Sequence, residues 1–112
     1  MDNEVIVKIG DKELHFKLKS QVIVTLEKVF AKNIFEIFQT LSFTSIQRVF
    51  WECLTDKTMF EDANGMMDVL LQKYDLVELG NDVLQQIAVK SGIIKPTESD
   101  DNNESLEEIK ND

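Results

Sequence analysis

Apolar and polar residues alternate along residues 5–9 and again along residues 14–18. A period of two is typical of half-buried β-strands, so the pattern predicts a hairpin over residues 4–18 that turns at Gly10-Asp11. Gly accepts positive φ without steric cost and suits a two-residue loop. Such a loop fixes the register, with apolar pairs on one face and opposite-charge pairs on the other. The predicted pairs are Val5 with Phe16, Val7 with Leu14, Lys8 with Glu13, and Glu4 with Lys17.

From residue 20 onwards, apolar residues recur every three or four positions, which is the period of an amphipathic α-helix. We therefore predict about five short helices within residues 20–94. The β-branched run at residues 21–25 leaves a third strand open as an alternative, although Leu26 and Phe30 continue the helical period. Ser20 and Gly92 are the predicted ends of this helical region. Capping-box patterns, which predict helix starts, occur at Asn33/Glu36, Thr44/Gln47, Thr58/Glu61 and Asp75/Glu78.

The helical period also predicts which side chains face a shared core. These inward positions are Val22, Ile23, Leu26, Val29 and Phe30; Ile34, Phe35, Ile37, Phe38 and Leu41; Ile46, Val49, Phe50, Cys53 and Leu54; Phe60, Ala63, Met67, Leu70, Leu71 and Tyr74; and Leu76, Leu79, Val83, Ile87 and Ala88. A two-stranded hairpin is unstable alone and must pack on these helices. The predicted fold is α+β and mainly α, with one globular domain at residues 1–95.

Residues 96–112 differ in composition from the rest of the chain. They begin at Pro96, their charged residues are acidic except for Lys110, and few of them are apolar. This composition predicts a disordered acidic tail. The whole chain has a net charge of −9 and no basic face, so we predict no nucleic-acid binding.

Several other classes are disfavoured by what the sequence contains. No apolar run of about 18 residues is present, so no membrane span is predicted. The acidic start of the chain, with no apolar run after it, predicts no secretory leader. Cys53 and His15 are the single Cys and His, so we expect no internal disulfide, no Cys/His metal site and a reducing cytoplasm.

No residue pattern indicates catalysis or a cofactor. The sequence has neither a glycine-rich phosphate loop nor a nucleophile elbow. His15 is expected to face solvent on the hairpin, and Cys53 lies in an apolar helical stripe, where a thiol packs as a small hydrophobe. The prediction is therefore a non-enzymatic binding protein without a cofactor.

Some apolar residues lie off the predicted core stripes and are candidates for a partner surface. Trp and Met are favoured at interfaces, although a broader core would explain the same residues. The candidate partner-binding residues are Trp51, Phe43, Val24, Met66 and Val69.

Five short motifs follow one another in a characteristic order along the hairpin and the helices. They are Ile9-Gly10-Asp11-Lys12-Glu13, Leu26-Glu27-Lys28, Ile34-Phe35-Glu36-Ile37-Phe38, Val49-Phe50-Trp51-Glu52-Cys53-Leu54 and Thr58-Met59-Phe60-Glu61-Asp62. Their order resembles that of the small tail assembly chaperones of long-tailed bacteriophages, prophages and gene-transfer agents. The resemblance covers about residues 4–94. One departure is that the family often has Gly after the first helix, where this chain has Ala31-Lys32-Asn33.

The resemblance implies a protein of the bacterial host cytoplasm that binds the tape-measure protein. It would keep that long helical chain soluble until tail-tube subunits, a possible second partner, polymerise round it. Many members of the family are also made in a longer, frameshifted form. Self-association is left open. The alternatives are a small regulatory or antidote-like protein that blocks a cellular target, and a minor subunit of an enzyme.

Overall fold

The computed structural model describes residues 3–95 and has an antiparallel hairpin at its N-terminal end. Strand β1 spans Val5–Ile9 and strand β2 spans Lys12–Phe16, with Gly10 at a φ of 61° in the turn. The predicted register is confirmed, because Val5 pairs with Phe16 and Val7 with Leu14. The predicted tail at 96–112 lies outside the described residues.

Five helices follow the hairpin, so the predicted α+β fold is confirmed for the described part of the chain. The region 21–25 is helical, which excludes the alternative third strand. Helix α5 is built from three consecutive segments, α-helical Leu76–Glu78, π-helical Leu79–Val83 and α-helical Leu84–Ser91. The other elements are α1 (Ser20–Phe30), α2 (Ile34–Gln39), α3 (Phe43–Cys53), a 3₁₀ turn (Lys57–Met59) and α4 (Ala63–Leu70).

Two of the predicted capping boxes are present, and so is the predicted C-terminal stop. Asn33 with Glu36 opens α2, and Asp75 with Glu78 opens α5. Gly92 ends α5 in the left-handed conformation. Asn33 and Asp75 are each the only Ser, Thr, Asp or Asn residue at the start of their helix, and Gly92 is the only glycine near the end of α5, so these positions were readable from the sequence.

The other predicted helix starts are wrong. Ser42 and Ser45, not Thr44 and Gln47, form the capping box of α3. Asp62 caps α4 by accepting from the Gly65 N–H at 3.1 Å, so no helix opens at Thr58/Glu61. Ser20 is the first residue of α1 and not its cap. Several Ser, Thr and Asp residues compete at the starts of α3 and α4, and spacing alone does not choose between them. The residue before α1 is Lys19, which forms no side-chain cap.

The hairpin is attached to the chain segment that follows α3. The Lys17 N–H donates to the Cys53 carbonyl at 2.8 Å, and the Thr55 N–H donates to the His15 carbonyl at 2.9 Å. Between these bonds, Phe16 forms an isolated antiparallel bridge with Leu54. Strand β2 thus has hydrogen-bonded neighbours on both sides.

The core lies between the inner hairpin face and the helices. The rings of Phe16 and Phe50 meet edge to face, with centroids 5.2 Å apart. Most of the predicted inward positions are buried or partly buried, including every one listed for α3. Three are wrong: Val29, Phe35 and Leu71 are exposed. Leu71 lies just beyond the end of α4 at Leu70.

Gly80 lies in the π-helical segment of α5, close to Leu41 in the α2–α3 connection and to Ile46 in the first half of α3. A Cβ atom at this position would lie 3.3 Å from Leu41 Cδ1 and 3.4 Å from Ile46 Cδ1. Glycine therefore allows α5 to pack closely against this part of the chain.

Candidate functional site

The structure separates the five candidate partner-binding residues. Val24 and Phe43 are exposed, whereas Trp51 and Val69 are partly buried. Met66 is 0% exposed and belongs to the core, so its prediction as a surface residue is wrong. The helical period placed Met66 at the margin of the predicted core stripe, but neighbouring elements cover more of α4 than that stripe. In the observed two-turn α4, Met66, Met67 and Leu70 form the buried face.

Trp51 lies in a groove of about 430 Å³ between the end of α1, the face of α3 and the start of α4. We call it the Trp51 groove. None of the other four candidate residues lines it. Its apolar wall includes the exposed Val29, which the sequence analysis assigned to the core. The lining residues are Val29, Phe30, Thr44, Gln47, Arg48, Trp51, Glu52 and Ala63.

The groove's polar rim is held by side-chain contacts. Arg48 Nε donates to Glu52 Oε2 at 2.9 Å, one helical turn apart on α3. Gln47 Nε2 donates to Asn64 Oδ1 at 2.6 Å and connects α3 to α4. The indole of Trp51 also packs against the buried core, with Lys57 Nζ 5.8 Å from its ring centroid. The apolar surface in the groove is therefore largely preformed.

A larger groove, of about 620 Å³, runs beside strand β1. We call it the β1-edge groove. Ile6 lines it and is 46% exposed. Its wall is formed by Val5, Ile6 and Val7 of the strand, and by Tyr74, Asn81, Asp82, Val83, Gln85, Gln86, Val89 and Lys90 from α5 and the residues before it.

His15 lies between two carboxylates on the outer hairpin face. Its Nδ1 is 2.7 Å from Glu4 Oε1 and its Nε2 is 2.8 Å from Glu13 Oε1. The hydrogen bond to Glu4, followed by that to Glu13, raises the pKa of His15. The bond to His15 lowers the pKa of Glu13. Sequence analysis missed this cluster because it considered directly opposite pairs, whereas Glu4 lies diagonally from His15.

The remaining candidate for chemistry is Cys53, which is buried as predicted. Burial raises the pKa of its thiol to about 12, so the reactive thiolate is scarcely populated at neutral pH. Within residues 3–95, no group of three or more His, Cys, Asp or Glu side chains is arranged to hold a metal ion. In the same part of the chain, no helix has the length and apolarity needed to cross a membrane.

Comparison with known proteins adds no relative. No family model matches this chain, and no curated protein or solved structure is significantly similar to it.

Proposed function

We propose that this protein is a non-enzymatic tail assembly chaperone of a phage or prophage, which binds the tape-measure protein in the bacterial cytoplasm. One helix of that client would dock in the Trp51 groove. The family resemblance of the sequence supports the class of protein. The observation that carries the choice of surface is the presence of a half-buried Trp beside an exposed Val29 in one groove.

The shape and chemistry of the groove suit an amphipathic helix. Such a helix places its apolar side chains in a groove and its polar ones at the rim. Here Trp51 and Val29 offer apolar contacts, and the rim carries both signs of charge in Arg48 and Glu52. A large aromatic side chain that packs on the core with one part and is exposed with another is a typical binding hot spot. It is already ordered, so little side-chain entropy is lost on binding.

The charge of the chain also fits a solubilising role. A net charge of −9 on 112 residues favours solubility and opposes aggregation of a complex that contains exposed apolar helices. A tape-measure protein offers long apolar stripes before the tail tube surrounds it, so a small acidic partner on those stripes would keep it dispersed.

Co-expression with consecutive helical fragments of a tape-measure protein from the same genome tests the proposal. We expect at least one fragment to become soluble and to co-purify with the chain. Failure of every fragment to do so would contradict the proposed client. Capture of an unrelated cellular protein through the same groove would instead favour the regulatory alternative.

A matched pair of valines in α1 tests the surface. Val29 is 45% exposed and lines the groove, whereas Val24 is 43% exposed and lies outside it. Val29→Gln should weaken client binding about fivefold or more, whereas Val24→Gln should leave it nearly unchanged. Both substitutions are uncharged, lie on the same helix and should change the unfolding free energy by about 0.5 kcal/mol or less. Equal effects of the two on binding would place the client elsewhere.

A further inference from the structure

Asn64 and Gly65 are adjacent at the start of α4, and they form the one Asn-Gly pair of the sequence. In such a pair, the glycine nitrogen can attack the side-chain amide carbon of the asparagine, because glycine has no Cβ atom to crowd the nitrogen or restrict the backbone. Asn64 is exposed, so water can reach the amide and ammonia can leave it. The pair is therefore chemically capable of deamidation wherever the backbone lets the two groups meet.

The backbone at this end of α4 is held by few hydrogen bonds. The Gly65 N–H precedes the backbone ladder of the helix, which begins with a bond of 3.4 Å from the Met66 N–H to the Asp62 carbonyl. The Gly65 N–H donates instead to the Asp62 carboxylate, at 3.1 Å. Gly and Asn are also poor helix formers. A helix end with these features opens locally more often than a helix centre, and opening frees the Gly65 nitrogen.

The other reacting group, the side-chain amide of Asn64, is bound to α3. Its Oδ1 accepts a hydrogen bond from Gln47 Nε2 at 2.6 Å. While the first turn of α4 is closed, this bond and the Asp62 cap hold the amide of Asn64 and the nitrogen of Gly65 in separate contacts. The reaction therefore requires the turn to open, and its rate follows the fraction of chains in which the turn is open.

We infer that Asn64 is a site of spontaneous deamidation, which occurs through local opening of the first turn of α4. The Gly65 nitrogen loses its proton to water or hydroxide and forms a bond to Asn64 Cγ, and the side-chain nitrogen leaves as ammonia. One water molecule then opens the resulting succinimide ring, at Cγ to give aspartate or at the backbone carbonyl carbon to give isoaspartate. The overall reaction converts one amide and one water into a carboxylate and ammonium.

Both products add a negative charge next to Ala63, which lines the Trp51 groove. In isoaspartate, the carbonyl that accepts from Gln47 becomes part of the main chain, and one extra methylene group lengthens the backbone at the start of α4. The contact between α3 and α4 beside the groove is therefore altered in a modified chain. The inference concerns the chain alone and is independent of the proposed client.

Incubation of the full folded chain in mildly alkaline buffer tests the inference, with peptide mass spectrometry and fragmentation that separates aspartate from isoaspartate. We expect both products at Asn64, and slower or no conversion at Asn33 and Asn81, which precede Ile34 and Asp82. The urea-unfolded chain should convert faster at Asn64, because no helix then holds the pair. Asn64 left intact in the folded chain after the unfolded chain has reacted completely overturns the inference, and so does aspartate formed without isoaspartate.

Three variants test the role of Gly65 and of local opening. Gly65→Ala should abolish the conversion over the same incubation. It should fold, because a Cβ atom there would lie 3.7 Å from Phe60 Cβ, an ordinary contact. Asp62→Ala removes the cap of α4 and should raise the folded-state rate about fivefold. Asp75→Ala is the matched control, because it removes the cap of α5, which has no Asn-Gly pair beside it, and the rate at Asn64 should stay unchanged.

Conversion that persists in folded Gly65→Ala overturns the inference, as does a folded-state rate that Asp62→Ala leaves unchanged. Equal acceleration by Asp62→Ala and Asp75→Ala also overturns it, since that would indicate opening of the whole fold and not of α4. The two Asp variants decide the question if Gly65→Ala fails to fold.

Discussion

Two helices of this protein end in the left-handed conformation, one at an alanine and the other at a glycine. Helix α1 ends at Ala31, with φ 54° and ψ 39°, and α5 ends at Gly92, with φ 85° and ψ 6°. The left-handed conformation costs an L-residue about 1–2 kcal/mol, because its Cβ approaches the following carbonyl oxygen. Glycine avoids that cost, but its greater conformational freedom in the unfolded chain lowers the free energy of unfolding by about 0.4–1 kcal/mol.

The Ala31→Gly variant should therefore be more stable than the natural chain. The two terms leave a gain of about 0.5–1 kcal/mol in the free energy of unfolding. For a domain of this size, that gain corresponds to a rise of about 2–8 °C in melting temperature. Ala31 is exposed, so removal of its methyl group leaves no cavity.

The reciprocal substitution is the control. A Cβ atom at Gly92 would have no atom within 4 Å, so Gly92→Ala changes backbone conformational energy without a steric clash. It should lower the free energy of unfolding by about 0.5–1 kcal/mol. Urea unfolding followed by circular dichroism measures both variants, and their m-values should match that of the natural chain. Destabilisation by Ala31→Gly would mean that Ala31 does not adopt the left-handed conformation in solution, and would refute the reasoning.

Three other substitutions or conditions have expected outcomes. Reversing Lys8 and Glu13 singly and together should give a coupling of about 0.2–1 kcal/mol in a double-mutant cycle, since their charged atoms lie 3.7 Å apart; no coupling would count against the pair. The pKa of His15 is raised on folding, so protonated His15 contributes to the free energy of unfolding. This contribution is complete below about pH 6.5 and is lost as the pH rises through the folded-state pKa. His15→Gln should remove this pH-dependent contribution when the free energy of unfolding is measured as a function of pH. Met66→Ala should lower the unfolding free energy by about 2–5 kcal/mol in urea titrations, and a surface-like effect below 0.5 kcal/mol would be inconsistent with its burial.

The hairpin was readable from the sequence because its constraints are local and agree with one another. The turn at Gly10, the alternation and the opposite charges of Lys8 and Glu13 all select one register. A shift by one residue would move every apolar side chain to the other face. The same register also predicts the His15 cluster, provided that diagonal neighbours are considered as well as directly opposite pairs. Glu4 is such a diagonal neighbour, and its side chain is long enough to reach His15.

The exposure of individual side chains was harder to predict from the sequence than the positions of the helices. The period in α1 places Val29 beside the core stripe, yet the residue is exposed because it lines the open Trp51 groove and not a closed interface between helices. Met66 is the opposite case, since its neighbours cover more of the short α4 than the period indicates. Which arc of a helix becomes buried depends on distant segments, and the sequence near the helix does not record their positions.

The burial of Trp51 also depends on distant segments of the chain. The period of α3 sets Trp51 off the stripe of Ile46, Val49 and Phe50, which offered two alternatives, partner surface or broader core. In the structure, the ends of α1 and α4 approach α3 and form the walls of a groove, so one part of the indole packs on the core while another part lines the groove. Substitution of Trp51 would therefore change stability and binding together and could not separate the two roles. Val29 contributes to the same groove from an exposed position, and for that reason it is the better probe of the proposed client surface.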